Sequence, residues 1–241
     1  MPARPPRAPD ASDPPSHPLP LGARAAKKVE PAAPAAPGAR LAANQLRRMR
    51  RIVDAAVDLA EKGGFEAVRL RDVADRSDVA LGTLYKYFRS KEDILLFALN
   101  EEMDVLEQAM AARPSANGTA LERAVEFFRR ATRAIARRPQ LARAMIRAMA
   151  AGDADTVMKL AFLQLRIARL VVATLRGEAP DLAKPLDQPA GSATEQAIAQ
   201  VLMNVWFSSL VGWAAGLHPE RVVTEHIRTG AGLILAPPAA P

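Results

Sequence analysis

The chain has 241 residues, 49% of them hydrophobic and only 5% aromatic, and a formal net charge of +7. It holds no cysteine, which excludes disulfides and thiolate metal sites. Its three histidines, His17, His218 and His226, are too scattered to supply a histidine metal or acid–base centre.

The charge is uneven along the chain. Residues 44–91 carry eleven basic groups against seven acidic ones, whereas residues 92–113 carry one against six. A basic front followed by an acidic stretch suits a polyanion met by the front alone. No charged n-region followed by an apolar run opens the sequence, so no secretory signal is read and a cytoplasmic protein is expected.

Residues 1–43 hold eleven of the twenty prolines and no apolar periodicity, the pattern of a disordered leader. A solubilising extension and a basic arm adding phosphate contacts are both compatible with it. From Asn44 the pattern changes: Ile52, Ala56, Leu59 and Ala60 recur at helical spacing until Gly63-Gly64. Arg47, Arg48, Arg50 and Arg51 crowd the first turns of this helix, where the macrodipole disfavours cations. Asp54 and Asp58 can neutralise part of that charge, and phosphates would account for the rest.

A short helix is predicted over about 70–77, then the turn Asp78-Val79-Ala80, then a second short helix over about 81–88. Ser90 is a fair N-cap for a longer helix reaching about residue 112. Five more helices follow. Thr119-Ala-Leu-Glu122 and Ser192-Ala-Thr-Glu195 are capping boxes, and Pro139 suits a first helical position. Another helix runs from about 153 to 176, and the last opens at Pro219-Glu220. Nothing reads as a strand. The expectation is an all-α chain of about nine helices. Its parts are a leader (1–43), a helix-turn-helix head (44–90), a ligand-binding and dimerisation domain (91–236) and a tail (237–241).

Residues 197–217 are uncharged and long enough to cross a bilayer. Gln200, Asn204 and Ser208 recur every fourth residue, a stripe that lipid would penalise, so a buried or partner-facing helix is expected and no membrane partner.

Both tyrosines of the chain fall in Gly82-Thr-Leu-Tyr-Lys-Tyr-Phe88. On an ideal helix Thr83, Lys86 and Tyr87 share one face, with Leu81, Leu84 and Phe88 behind and Tyr85 at the margin. The outward groups all donate hydrogen bonds and none is an anion, the inventory for gripping phosphate oxygens. Gly82, lacking a β-carbon, lets a base edge or phosphate approach the backbone. Arg69 and Arg71 open the preceding helix, and a three-residue turn separates the two. That arrangement is a helix-turn-helix, whose second helix enters the major groove.

Residues 45–100, above all Ala67-Val-Arg-Leu-Arg-Asp-Val-Ala74 and Gly82-Thr-Leu-Tyr-Lys-Tyr-Phe-Arg-Ser-Lys91, resemble the DNA-binding head of TetR-family transcriptional regulators. The resemblance implies an all-helical homodimer acting on double-stranded operator DNA. It assigns Thr83, Tyr85, Lys86 and Tyr87 to the operator, Gly82 to close approach, and Arg71 and Lys91 to flanking phosphates. Arg47, Arg48, Arg51 and Arg69 complete the predicted interface. Ser77-Asp78 stands where the family usually has Ala-Gly, and Ala80 where a serine or threonine cap is common.

The resemblance weakens beyond residue 113, but three stretches, one in the head (61–68) and two beyond it (138–145 and 204–213), are similar to KstR-type repressors of cholesterol catabolism. That implies a small apolar effector, a steroid-derived CoA thioester, in a pocket with a basic mouth. Phe127, Phe128, Arg130, Met145, Met149, Phe162, Trp206 and Phe207 are the candidate lining. The same residues are compatible with a fatty acyl-CoA or a drug-like lipophile. Ser208, Ser209, Gly212 and Trp213 are the candidate dimer contact, since one recognition helix reads too few base pairs alone. No catalytic motif, metal site or cofactor is predicted, because no phosphate loop, nucleophile elbow or His-Glu-x-x-His pair occurs. A helical protein–protein adaptor, its tyrosines facing a partner chain, is the rival class.

Overall fold

A computed structural model describes residues 37–150 and 154–235. Most of the predicted leader, residue 236 and the tail lie outside the described residues. Nine helices and no strand occur within them.

Helix α1 (Pro37–Ala67) starts seven residues ahead of the predicted Asn44. Its regular course breaks at Gly63 and Gly64, where Gly64 takes φ 68°. That left-handed conformation suits glycine, and it turns one last helical stretch toward α2 (Leu70–Arg76). Helix α3 (Leu81–Leu84) is short, and α4 (Lys91–Ala112) starts on the Ser90 cap, whose side chain accepts from the Asp93 N–H. The effector half holds α5 (Ala120–Ala136), α6 (Pro139–Met149), α7 (Ala154–Arg176), α8 (Ala193–Ala214) and α9 (Glu220–Leu235). Both predicted capping boxes form, Thr119 with Glu122 and Ser192 with Glu195.

Two hydrophobic cores result. The head core gathers Ile52, Val53, Ala56, Val68, Val73, Leu84 and Phe88 with Ile94, Leu95 and Ala98 of α4 and Leu141, Ala144 and Ala148 of α6. The effector core gathers Met103 and Leu106 of α4 with Phe128, Leu170, Val171, Leu202 and Ile227. Helix α4 thus feeds its first half to one core and its second half to the other. Burying each large side chain contributes about 1.5–3 kcal/mol, so α4 cannot rotate without disturbing both cores.

Charged pairs fix α4 from outside. Arg166 of α7 grips Glu107 with two arms at 2.9 and 2.8 Å and also reaches Asp104 and Asn100. Those hydrogen bonds to Glu107 and Asp104, with Glu107 foremost, hold the Arg166 pKa above its ordinary value against the opposing effect of burial. Lys159 of α7 pairs with Asp93 at the other end of α4.

Helix α8 is long and apolar enough to cross a membrane by length and composition. Its Gln200, Asn204 and Ser208 all lie exposed, and the Gln200 amide donates to Asn204 at 3.0 Å. Lipid would leave that stripe poorly solvated.

Candidate nucleic-acid interface and effector cavity

The second short helix departs from its predicted extent. Its α-helical part stops at Leu84: Tyr85 N still bonds four residues back to Leu81 O, but Lys86 N and Tyr87 N bond three residues back, to Thr83 O and Leu84 O. Such tightening advances the chain by about 120° per residue rather than 100°. It swings Tyr87 toward the Leu84 side, where it packs half-buried against the head core. Tyr85, placed at the margin by an ideal helix, is instead 52% exposed. Leu84 and Phe88 are buried, Thr83 is half-exposed, and Lys86 is exposed. The outward display is therefore Gly82, Thr83, Tyr85 and Lys86, with Tyr87 at the edge.

Gly82 is exposed, its φ is ordinary, and nothing lies within 4 Å of where a Cβ would be. Packing within the chain does not demand glycine there. Open space at this point leaves room for a partner from outside.

The turn departs from the ideal as well. Asp78 takes φ 52°, the one described non-glycine residue in the left-handed region, and it pairs with Arg51 at 3.5 Å. Ala80 provides no side-chain cap for α3.

The cations around this surface fall into two groups. Arg47 bonds to Asn44, Arg50 pairs with Glu101, Arg51 with Asp78, and Arg76 with Asp58. Arg48, Arg69, Arg71 and Lys86 are exposed and enter no ion pair among the described residues. Lys91, predicted to bind phosphate, is half-engaged inside the chain. Its ammonium donates to Phe65 O at 3.3 Å, lies 3.6 Å from Glu66 and sits 3.8 Å from the Phe65 ring centre. Arg147 of α6 covers the same ring and pairs with Glu66 at 2.8 Å. A lysine ammonium has three donors, so one remains for an outside acceptor.

A second feature lies where the two cores meet. A cavity of about 140 Å³ is walled by α4 to α8, with Leu99, Met103 and Leu106 on one side and Leu141, Met145 and Met149 on another. Phe127, Trp206, Phe207 and Leu163 close it. Five predicted lining residues are therefore there: Phe127, Met145, Met149, Trp206 and Phe207.

Three predicted lining residues are not. Phe128 is fully buried behind the wall, its ring 5.3 Å from Trp206. Arg130 is held by Glu126 on its own helix, together with Arg129. Phe162 points outward, 50% exposed. Helical spacing alone does not separate a wall from the layer behind it, which is why these three were misplaced.

Of the two charged residues of the lining, sequence reasoning missed Glu102 and did not single out Arg138. Arg138 lay within a resemblance stretch, but nothing distinguished it from its neighbouring arginines. The expected basic mouth is largely spent within the chain. Arg143 donates to Ala214 O and covers Trp213, and Arg147 serves Glu66. Trp206 is satisfied by Thr132, its Nε1 donating at 2.9 Å.

The predicted dimer residues also divide. Ser208 faces outward, but Ser209 is buried with its hydroxyl 2.9 Å from His226 Nδ1. Gly212 is buried as well; a Cβ there would lie 2.5 Å from Nε2 of His218 in the α8–α9 linker, so a larger residue would have to push that ring aside. Trp213 packs half-buried under Arg143. The outward face of α8 is Val201, Asn204, Ser208 and Val211 instead.

Residues 52–97 match "Bacterial regulatory proteins, tetR family". Residues 118–234 match "Tetracyclin repressor-like, C-terminal domain". The HTH-type transcriptional repressor KstR of Rhodococcus jostii is 37% identical over 169 residues, covering 70% of this chain and 74% of that protein. Its Mycobacterium tuberculosis counterpart is 34% identical over 169 residues, covering 70% and 72%. The fatty acid metabolism regulator protein of Bacillus subtilis is 35% identical over 72 residues, 30% of this chain and 37% of that one. Among solved structures, a TetR transcriptional regulator from Rhodococcus sp. RHA1 superposes with TM-score 0.64 at 23% identity, over 80% of this chain and 97% of that one.

Proposed function

The chain belongs to the tetR family of bacterial regulatory proteins, and from that premise we propose that it is a repressor released from its operator by an apolar effector. It is a regulatory protein rather than an enzyme. The observation that carries the effector reading is the position of the cavity. It lies between the head core and the effector core, and its walls include α4 and α6, which contribute to both.

In this reading the protein acts as a homodimer in the cytoplasm, pairing through the outward face of α8. Two heads stand about one DNA turn apart, roughly 34–36 Å. Arg48, Arg69, Arg71 and Lys86 meet phosphates, and Thr83, Tyr85 and Tyr87 approach the groove beside Gly82. Arg47, Arg51 and Lys91 contribute once their internal partners are exchanged for phosphate.

The cavity as it stands is smaller than the roughly 300–1,000 Å³ usual for ligand pockets. An effector of steroid or long acyl size must push its walls apart, and Met145 and Met149 are the adaptable side chains that yield first. Further opening displaces α6, whose Ala144 and Ala148 lie in the head core on the face away from the cavity. Near-complete release needs about 5.5 kcal/mol of differential ligand affinity, within reach of a large buried hydrophobe. The effector class that fits best is a steroid- or fatty-acyl-CoA thioester, its acyl part inside and its nucleotide outside.

The test is a gel shift on duplex DNA from upstream of the protein's own coding sequence, repeated with steroid-CoA and fatty acyl-CoA competitors. Retarded DNA released by one of these thioesters at micromolar concentration is expected. Retention of the complex with every acyl-CoA, alongside release by an unrelated lipophilic drug, would replace the thioester.

A further inference from the structure

The cavity is apolar except at one corner, and that corner is wired to the DNA-binding head. Arg138 stands there at the start of α6, its side chain 25% exposed. One arm of its guanidinium contacts Glu61 of α1, and the other lies 3.8 Å from Glu102 of α4, itself 12% exposed. Arg138 and Glu102 line the cavity, whereas Glu61 belongs to the head. One cation thus serves two carboxylates, one from each side of the seam.

This arrangement selects among effectors by charge. A carboxylate entering the corner would meet Glu61 and Glu102 already placed around the guanidinium, and a further charge of the same sign at low exposure is costly. A plain hydrocarbon end gains nothing from the corner. A carbonyl or hydroxyl oxygen accepts a hydrogen bond from the guanidinium, which carries five donors, without adding charge.

We propose that Arg138 is the residue that reads the effector, and that it reads a neutral carbonyl or hydroxyl oxygen on an otherwise apolar body. A hydrogen bond from Arg138 to that oxygen draws the guanidinium into the cavity and away from Glu61, loosening the attachment of α6 to α1. The second half of this proposal rests on the reading of the chain as an effector-released repressor. The first half does not.

Three probes of one chain length separate the classes: a long-chain methyl ketone, the corresponding alkane and the corresponding fatty acid. Binding is followed at neutral pH by quenching of tryptophan fluorescence, Trp206 being part of the wall. In the wild type the ketone is expected to bind about fivefold more tightly than the alkane, the worth of one hydrogen bond. The acid is expected to bind no better than the ketone. Arg138→Met should bring the ketone-to-alkane ratio close to one. Should that variant fail to fold, Arg138→Lys keeps a cation opposite both carboxylates but loses the fork, and its ratio should fall below half the wild-type value.

A fatty acid that binds most tightly, a ratio unchanged in the variant, or no quenching by any probe overturns the proposal. The same probes are then added to the protein–duplex complex, where the ketone should release DNA at lower concentration than the alkane. Absence of any duplex binding would sink the repressor reading and leave the fluorescence ratios to judge Arg138. Duplex binding with equal ketone and alkane affinities would sink Arg138 and leave the repressor reading intact.

Discussion

The head and the effector half use arginine in opposite ways. In the effector half Arg166 is held mostly buried in a fork with Glu107, and Arg123 donates to Thr174 O and Leu175 O at the end of α7. Arg176 grips Glu195 there in turn. In the head Arg48, Arg69, Arg71 and Lys86 stand exposed with no ion pair among the described residues. A cation with a carboxylate or carbonyl already in place holds helices together. A cation left outward, as Lys86 is between Tyr85 and Tyr87, stays open to a partner from outside. The interiors differ in the same sense, since the cavity opens where the closely packed head core gives way to the effector core.

Exchanging single residues between these roles sharpens the comparison. Arg166→Leu should have the largest effect, about 3 kcal/mol of stability measured by thermal or urea unfolding, because it leaves Glu107 of α4 mostly buried without its cation. Arg71→Ala should change stability by less than about 0.5 kcal/mol. It should nevertheless lower duplex affinity uniformly and reduce the salt slope by about one. Equal stability losses for the two would erase the distinction.

Lys91→Ala falls between the classes. It should cost about 1 kcal/mol through the lost contact with the Phe65 ring and Glu66, and also reduce the salt slope by about one. An unchanged slope would make Lys91 a purely internal clamp.

Asp78→Gly should stabilise the head by up to about 1 kcal/mol, since glycine accepts the left-handed turn freely and only an exposed pair with Arg51 is lost. Ala80→Ser should add a comparable gain by capping α3.

The smallest effect concerns pH. Arg176 bonded to Glu195, together with the Ser192 cap, holds that carboxyl down to about 2 from an ordinary 4.5. A depressed carboxyl pKa contributes stability that is fully present above the unfolded value. That contribution is lost as pH falls from about 4.5 through about 2. Exposure screens it to well under about 1 kcal/mol, so Glu195→Gln should flatten the melting temperature only slightly, and only in that acid window.

The sequence made the helices legible because their ends are chemically marked. Ser90, Thr119, Pro139 and Ser192 each open a helix where expected. It was less informative at α3, where two three-residue hydrogen bonds shorten the helix and exchange the roles of Tyr85 and Tyr87. No side-chain pattern announces that tightening. The cavity wall was legible at Phe127 and Met145 but not at Arg138, because membership depends on which of several arginines meets helices α1 and α4. Ser209 and Gly212 read as small surface residues, yet their size serves His226 and His218 within the chain.

The central claim is that the outward cations of the head are held for phosphates. Its most direct test is the salt dependence of duplex binding, followed by fluorescence anisotropy with labelled upstream DNA. With four such cations per protomer in a dimer, log affinity should fall with log salt at a slope of about −6 or steeper, each neutralised phosphate contributing about −0.9. Arg71→Ala should make that slope shallower. A slope near zero, or no binding even in dilute buffer, would contradict the account.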